Sequence, residues 1–441
     1  MLHYDQTIFA LSSGALPAGV AIVRLSGRQA FEACRRLAGD LPIPRRASLR
    51  TIRSRNDLFI DQGLVITFPA PASFTGEDCV EFHLHGGRAV VAALLNELGT
   101  FPNFRLAEPG EFSRRAFENG QMDLIEVEGL SDLIAAETEM QRRLAVEQGF
   151  GKLSALYQSW AGRLLRARAF IEAELDFADE DDVPNSMSDT VWHDMQLLAQ
   201  DIKAHLGAAR TGEIIRDGLK VAIVGAPNAG KSSLMNALVN RDIAIVSAVA
   251  GTTRDIIHAE IDVDGFAVKL YDTAGLREAS EDIEREGIRR ALTTAAQADI
   301  VLILEDISNP QPVILPSALV GKQFRIGTKT DSDNGCLTGD YDLCISSANG
   351  TGISDLRQLL VSEIREQSLI ASMRLPSRFR QTNYLVAAHR HVQFALDQLT
   401  NPIELRAEDL RIAHENLGRV TGQSNPEDLL DVIFSAFCIG K

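Results

Sequence analysis

The sequence predicts an α/β domain with a mostly parallel sheet, set between two helical blocks and preceded by a mixed α/β region. Three observations predict it. Apolar residues recur at helical spacing from about 120 to about 213 and again after about 373. Between those stretches, from about 214, strand-like and helical runs alternate, as a parallel sheet with crossover helices requires. Before about 120, short strand-like runs are separated by turn clusters.

The 441 residues are 45% hydrophobic and 24% charged, enough for two or three domains with their own cores. No apolar run reaches the roughly eighteen residues that a membrane-spanning helix needs. Met1-Leu2-His3-Tyr4-Asp5 lacks the basic-then-apolar pattern of a secretory signal, so a cytoplasmic location is expected. Cysteines at 34, 79, 336, 344 and 438 form an odd, unpatterned set, which argues against a disulfide framework and for a reducing compartment. The net charge of −16 means that any nucleic-acid partner must be held by a local basic patch.

Taken in order, Val20-Ala21-Ile22-Val23 and Leu64-Val65-Ile66-Thr67-Phe68 read as strands, parted by turns such as Pro69-Ala70-Pro71-Ala72-Ser73. Leu124, Val127, Leu130 and Ile134 share one helical face, and Leu153, Leu156, Trp160, Leu164, Ile171 and Leu175 a second. Val191, Met195, Leu198, Ile202 and Leu206 form a third, with Ser188 as its N-cap. Three long amphipathic helices are therefore expected here. Asp179-Glu180-Asp181-Asp182 reads as a solvated loop. Toward the C-terminus, Leu385, Ala388, Val392, Leu396 and Leu399 make one face, broken at Asn401-Pro402. Leu410, Ala413, Leu417 and Val420 make the next, followed by Leu430, Ile433, Phe434 and Phe437. One helical domain interrupted by the α/β domain accounts for both blocks, and so do two separate bundles.

The chemistry is written most plainly in Gly225-Ala226-Pro227-Asn228-Ala229-Gly230-Lys231-Ser232, which fits G-x-x-x-x-G-K-[ST]. A buried strand, Val221–Val224, precedes it, and a helix opening at Ser233 follows. The glycines let backbone N–H groups face phosphate oxygens, and the helix N-terminus adds partial positive charge. Lys231 would reach the β- and γ-phosphates and Ser232 would ligate Mg²⁺. Asp272-Thr273-Ala274-Gly275 ends a strand in D-x-x-G: Asp272 would hold Mg²⁺ through water, and the Gly275 N–H would sense the γ-phosphate. Thr253 suits a switch threonine closing on the metal. Thr328-Lys329-Thr330-Asp331 selects the base, because one carboxylate can accept from guanine N1–H and N2–H₂ together. Threonine stands where G domains usually carry asparagine. Ser346-Ser347-Ala348 would support the base. The expected nucleotide is GTP. Leu276 follows D-x-x-G and cannot orient water, so hydrolysis needs another polar group from the glutamate-rich stretch 278–286.

With these pieces in place the chain resembles, over essentially its whole length, the tRNA-uridine-modifying GTPases of the MnmE (TrmE) family. The marks are Phe74-Thr75-Gly76-Glu77-Asp78, His85-Gly86-Gly87, Pro109-Gly110-Glu111-Phe112-Ser113, the run Gly225–Ser233, Gly251–Asp255, Asp272–Glu278 and the terminal Phe437-Cys438-Ile439-Gly440-Lys441. The resemblance implies a P-loop GTPase domain inserted into a helical domain and preceded by an α+β folate-binding domain that makes a homodimer. The implied boundaries are 1–119 for the folate-binding domain, 120–213 and 373–441 for the helical domain, and 214–372 for the G domain. It implies a flavin-dependent (FAD) partner, MnmG (GidA), in a heterotetramer, and attachment of an aminomethyl or carboxymethylaminomethyl group to C5 of the wobble uridine of tRNA. The carbon would come from 5,10-methylene-tetrahydrofolate, for which 5-formyl-tetrahydrofolate is an analogue. Arg24, Glu81 and Lys441 match the folate contacts, with Gln121 where a lysine is usual. Asn228 with Ser247, Val249 and Thr252 matches a K⁺ site, Glu284 the water-activating glutamate, and Cys438 a cysteine of the modification chemistry.

Arginine clusters at 45–46, 50, 53 and 55, at 114–115, and at 163, 166 and 168 are candidate tRNA contacts. His83-x-His85 offers two metal ligands without an evident third. The alternative function is a ribosome-assembly GTPase acting as an RNA-binding switch. Such proteins usually carry a basic RNA-binding module after the G domain, whereas residues 373–441 are mixed in charge and amphipathic.

Overall fold

A computed structural model describes residues 5–176, 186–241, 259–272, 298–311, 321–332, 341–365, 373–397, 402–423, 427–435, 437 and 440. The chain divides into two compact units, residues 1–131 with 421–441, and residues 132–420.

In the first unit, β1 (Thr7–Leu11), β2 (Ala18–Ser26), β3 (Ser48–Arg53), β4 (Phe59–Phe68), β5 (Cys79–Gly86) and β6 (Phe104–Leu106) form one sheet in the order β3-β4-β5-β2-β1-β6. All pairs are antiparallel except β1 with β6. The period-2 alternation sends Val23, Leu25, Val65, Val80, Phe82 and Leu84 into a core with α1 (Ala30–Ala38) and α2 (Arg88–Leu98). Arg24 and Glu81, at alternate positions of β2 and β5, pair in register outside that core. Helix α3 (Glu111–Glu118) and the start of α4 (Leu124–Ala135) complete the unit. The chain returns at its end: the helix Glu427–Ser435 packs Leu430 and Phe434 on Leu124 and Val127.

In the second unit, α5 (Glu139–Gly149), α6 (Lys152–Asp176), α7 (Ser186–Gly207) and α8 (Ala209–Asp217) lead into the second sheet. Its strands are β7 (Leu219–Gly225), β8 (Ala259–Val263), β9 (Phe266–Asp272), β10 (Ile300–Asp306), β11 (Lys322–Thr328) and β12 (Leu343–Cys344). Their order is β12-β11-β10-β7-β9-β8, parallel except for β8 with β9. Strands covered on both faces read as unbroken apolar runs, and Val221–Val224 and Ile300–Leu304 are buried throughout. Helices α9 (Lys231–Arg241), α10 (Ile353–Arg365), α11 (Phe379–Asp397) and α12 (Ile403–Thr421) complete the described elements.

Among its described residues, the region from 124 to 217 holds five helices where periodicity predicts three. The break after α4 is made by Thr138, whose side chain caps α5 in a reciprocal box with Gln141. Ile134 is 45% exposed, off the face expected for it, because Ile125 and Glu128 turn inward instead. Helix α7 begins at Ser186, so Ser188 lies inside its first turn and is not its N-cap.

Candidate functional site

Parallel strands deliver their carboxyl ends to one edge of a sheet, and that edge is where ligands bind in open α/β folds. Here it collects Gly225 at the end of β7, the backbone of Asp272 at the end of β9, Asp306 at the end of β10, Thr328 at the end of β11, and Ile345-Ser346 just after β12.

Residues 225–232 form the tight loop that their spacing predicts. A Cβ at Gly225 would lie 2.6 Å from the Leu304 carbonyl oxygen, so a side chain there would push the loop off β10. Gly230 has φ +91° and Asn228 φ 62°, the left-handed region that glycine and asparagine tolerate best. The Lys231 ammonium donates to the carbonyls of Gly225 and Ala226, both at 2.8 Å, which places it inside the curve of its own loop. Ser232 and Ser233 are exposed in the first turn of α9. Ala229 is buried.

The base loop is tied to the phosphate loop. Buried Thr328 sits 2.8 Å from the Ala229 carbonyl and 3.1 Å from the Glu305 carbonyl, close enough for its hydroxyl to donate to either. Lys329 adopts φ 63° and reaches Asp306 Oδ2 at 2.6 Å. The Ser346 hydroxyl donates to Asp331 Oδ1, and that bond holds the Asp331 carboxyl below the usual carboxylate range. Ser346 is fully buried, and its Oγ also accepts from the N–H groups of Ala348 and Asn349 at 3.3 Å. Ser347 follows it in the same turn. Asp331 is thus an ionised acceptor of fixed orientation, as two adjacent guanine N–H donors require.

Ser247, Val249, Thr252, Thr253, Thr273, Ala274, Gly275, Glu284, Cys438 and Lys441 lie outside the described residues, as does the acidic run 179–182. Cys34 and Cys79 are free and buried, but Cys344 is disulfide-bonded, against the expectation drawn from the cysteine spacing.

The first unit holds the other constellation. Arg24 Nε donates to Glu81 Oε1 at 3.0 Å, and its guanidinium lies 4.9 Å from the Phe74 ring centre and 5.7 Å from that of Phe112. Glu81 also meets His83 Nε2 at 3.2 Å, and His85 Nδ1 meets Asp61 Oδ1 at 2.9 Å. Among the described residues no cluster of three or more His, Cys, Asp or Glu could hold a metal ion. Behind Arg24, Ser26 donates to Glu77 at 2.6 Å, and Arg115 bridges Glu77 and Glu111, both at 3.0 Å. Burial pushes the Glu111 carboxyl up, yet its bonds to Arg105 and the Glu108 N–H leave it below the usual range. Gln121 is exposed beside the Gly76 turn: its Cγ lies 3.3 Å from where a Gly76 Cβ would stand. Gly440 closes against the Leu11 carbonyl oxygen, 2.1 Å from where its own Cβ would stand.

Phe74, Phe112 and Glu77 carry no role in the sequence reading, and Arg115, expected with Arg114 as a tRNA contact, is instead buried and held between Glu77 and Glu111. The i,i+4 spacing of Glu111 and Arg115 was the local signal available for the buried pair.

The family model described as GTP-binding protein TrmE N-terminus matches residues 7–121, and that of the MnmE helical domain matches residues 124–438. The chain belongs to the MnmE family. A protein named tRNA modification GTPase MnmE from Rhizobium etli is 56% identical over 442 residues, covering 100% of both chains. One of the same name from Agrobacterium fabrum is 55% identical over 436 residues, covering 99% of each. For a member of the MnmE family, a P-loop GTPase fold beside an N-terminal TrmE domain and a helical domain is the expected build. Among the described residues no helix is long and apolar enough to cross a membrane.

Proposed function

We propose that this chain is a potassium-activated GTPase that modifies tRNA. With a flavin-dependent partner of the MnmG (GidA) kind, it adds an aminomethyl or carboxymethylaminomethyl group to C5 of the wobble uridine. The observation that carries the reading is the phosphate loop joined to a guanine-type base loop, in a chain that matches tRNA modification GTPases from end to end. The proposed domains are 1–119 for folate binding and dimerisation, 120–213 with 373–441 as the helical domain, and 214–372 as the G domain. The proposed setting is the cytoplasm, in a heterotetramer with the partner.

In this reading the loop amides and Lys231 bind and orient the phosphates, Ser232 with Thr253 and Asp272 holds Mg²⁺, and Asp331 reads guanine. The exposed Asn228, with Ser247, Val249 and Thr252, would hold K⁺, which supplies positive charge between the phosphates when bound. Glu284 takes the place of the glutamine that Leu276 excludes. Arg24 and Glu81, with Gln121 and Lys441, would hold the folate that supplies the carbon. A guanidinium and a carboxylate beside the half-buried Phe74 ring suit a flat heterocycle that carries ring N–H groups. The close seat of Gly440 on β1 supports a role for the chain end at this site, and Cys438 is the proposed participant in the modification chemistry.

Nucleoside mass spectrometry of tRNA from cells with and without this gene tests the proposal. Loss of 5-aminomethyl-type uridines on deletion, restored by the wild-type gene, is expected. Persistence of those nucleosides with unjoined ribosomal subunits would replace the proposal with the ribosome-assembly switch.

A further inference from the structure

Asp306 lies outside the Thr328–Asp331 motif, yet it is bonded to it. It ends β10 opposite Thr328 in the strand register, and the Ile307 N–H donates to the Thr328 carbonyl at 3.3 Å. Its two carboxylate oxygens are divided. Oδ1 accepts from the Ser308 N–H at 3.0 Å and from the Ser308 hydroxyl at 2.6 Å, which fixes the plane of the group. Oδ2 is then aimed at the Lys329 ammonium, 2.6 Å away. Asp306 is largely buried at its side chain while Lys329 is more open, at 16% and 39% exposure. Lys329 also holds φ 63°, a conformation unfavourable to a lysine that the surrounding bonds must maintain.

An ammonium pinned at its tip restricts the four methylenes behind it. A lysine without that anchor would spread over many rotamers, and ordering it on binding would cost side-chain entropy. The pinned stem starts two residues before Asp331, whose carboxylate is held by Ser346. One residue therefore offers a fixed apolar edge and the other a fixed acceptor, as a flat base with two edge donors requires.

We propose that Asp306 is a positioning residue for guanine-nucleotide binding, acting through Lys329. It preorders the lysine stem as a wall of the base site, so that the nucleotide does not have to order it. The proposal rests on the assignment of Lys329 and Asp331 to the base.

The test is a double-mutant cycle on the full chain, read as the dissociation constant of a fluorescent GDP. Asp306→Ala is expected to weaken binding about tenfold, Lys329→Ala by a similar factor, and the double variant by little more than either alone. Asp306→Glu is expected to recover part of the loss. Asp306→Ala binding like wild type, or losses that multiply in the double variant, would overturn the proposal, since a residue that only stabilises the fold weakens binding whether or not Lys329 is present. Asp331→Ala separates the two layers. If it and Lys329→Ala both leave GDP binding intact, the base-site assignment fails. If both weaken it and Asp306→Ala does not, only the positioning role fails.

Discussion

Thr328→Val removes one hydroxyl and keeps nearly the same shape, so it isolates the bond between base loop and phosphate loop. Thr328 is 3% exposed, and its hydroxyl has one proton for two carbonyls, Ala229 at 2.8 Å and Glu305 at 3.1 Å. The shorter contact takes the larger share. Valine fills the space but leaves a buried acceptor without this donor, a change of about 1–3 kcal/mol. If the nucleotide site feels all of it, GDP affinity falls roughly 5- to 150-fold, at about 1.4 kcal/mol per tenfold. Thr328→Ser keeps the donor and should stay close to wild type. The assay is equilibrium binding and release of a fluorescent GDP, with thermal melting of each variant. Valine and wild type binding GDP within twofold of each other, with the same melting temperature, would refute the reasoning.

The assignment of Asn228 to a K⁺ site predicts faster GTP hydrolysis in KCl than in NaCl at equal ionic strength, and equal rates would remove it. Asp331→Asn exchanges an acceptor for a mixed donor and acceptor, so preference should move from guanine to xanthine nucleotides in competition binding. Unchanged preference would move the base elsewhere. Gly440→Ala places a methyl 2.1 Å from the Leu11 carbonyl at φ +96°, so the chain end must leave its seat. Binding of 5-formyl-tetrahydrofolate should drop at least tenfold while GTP turnover stays within about twofold. Unaltered folate binding would detach the chain end from the folate site.

The parts of the site that were legible in the sequence are those whose cause is local. The phosphate loop is a spacing of glycines, lysine and serine with a strand before it and a helix after it, and the structure keeps all three. The central strands were legible because burial on both faces leaves an apolar run. The helix break at Thr138 was written in Thr138 and Gln141, but apolar residues continue on both sides of it and conceal it from periodicity. What sequence pattern did not reach depends on contacts between distant residues. Arg24 against Phe74 and Phe112, Glu77 held by Arg115, and Gly440 seated on Leu11 each require the tertiary fold. The Lys329–Asp306 pair depends on the register of β10 with β11, which no spacing rule supplies.

Reconstitution of the reaction from purified parts decides whether this chain modifies tRNA. The purified chain would be combined with its flavin-dependent partner, 5,10-methylene-tetrahydrofolate, ammonium or glycine, GTP, K⁺ and tRNA lacking the modification, and the nucleosides read by mass spectrometry. A 5-substituted wobble uridine should form with wild-type protein and GTP and fail to form with Lys231→Ala. Equal product with Lys231→Ala or without GTP would contradict it.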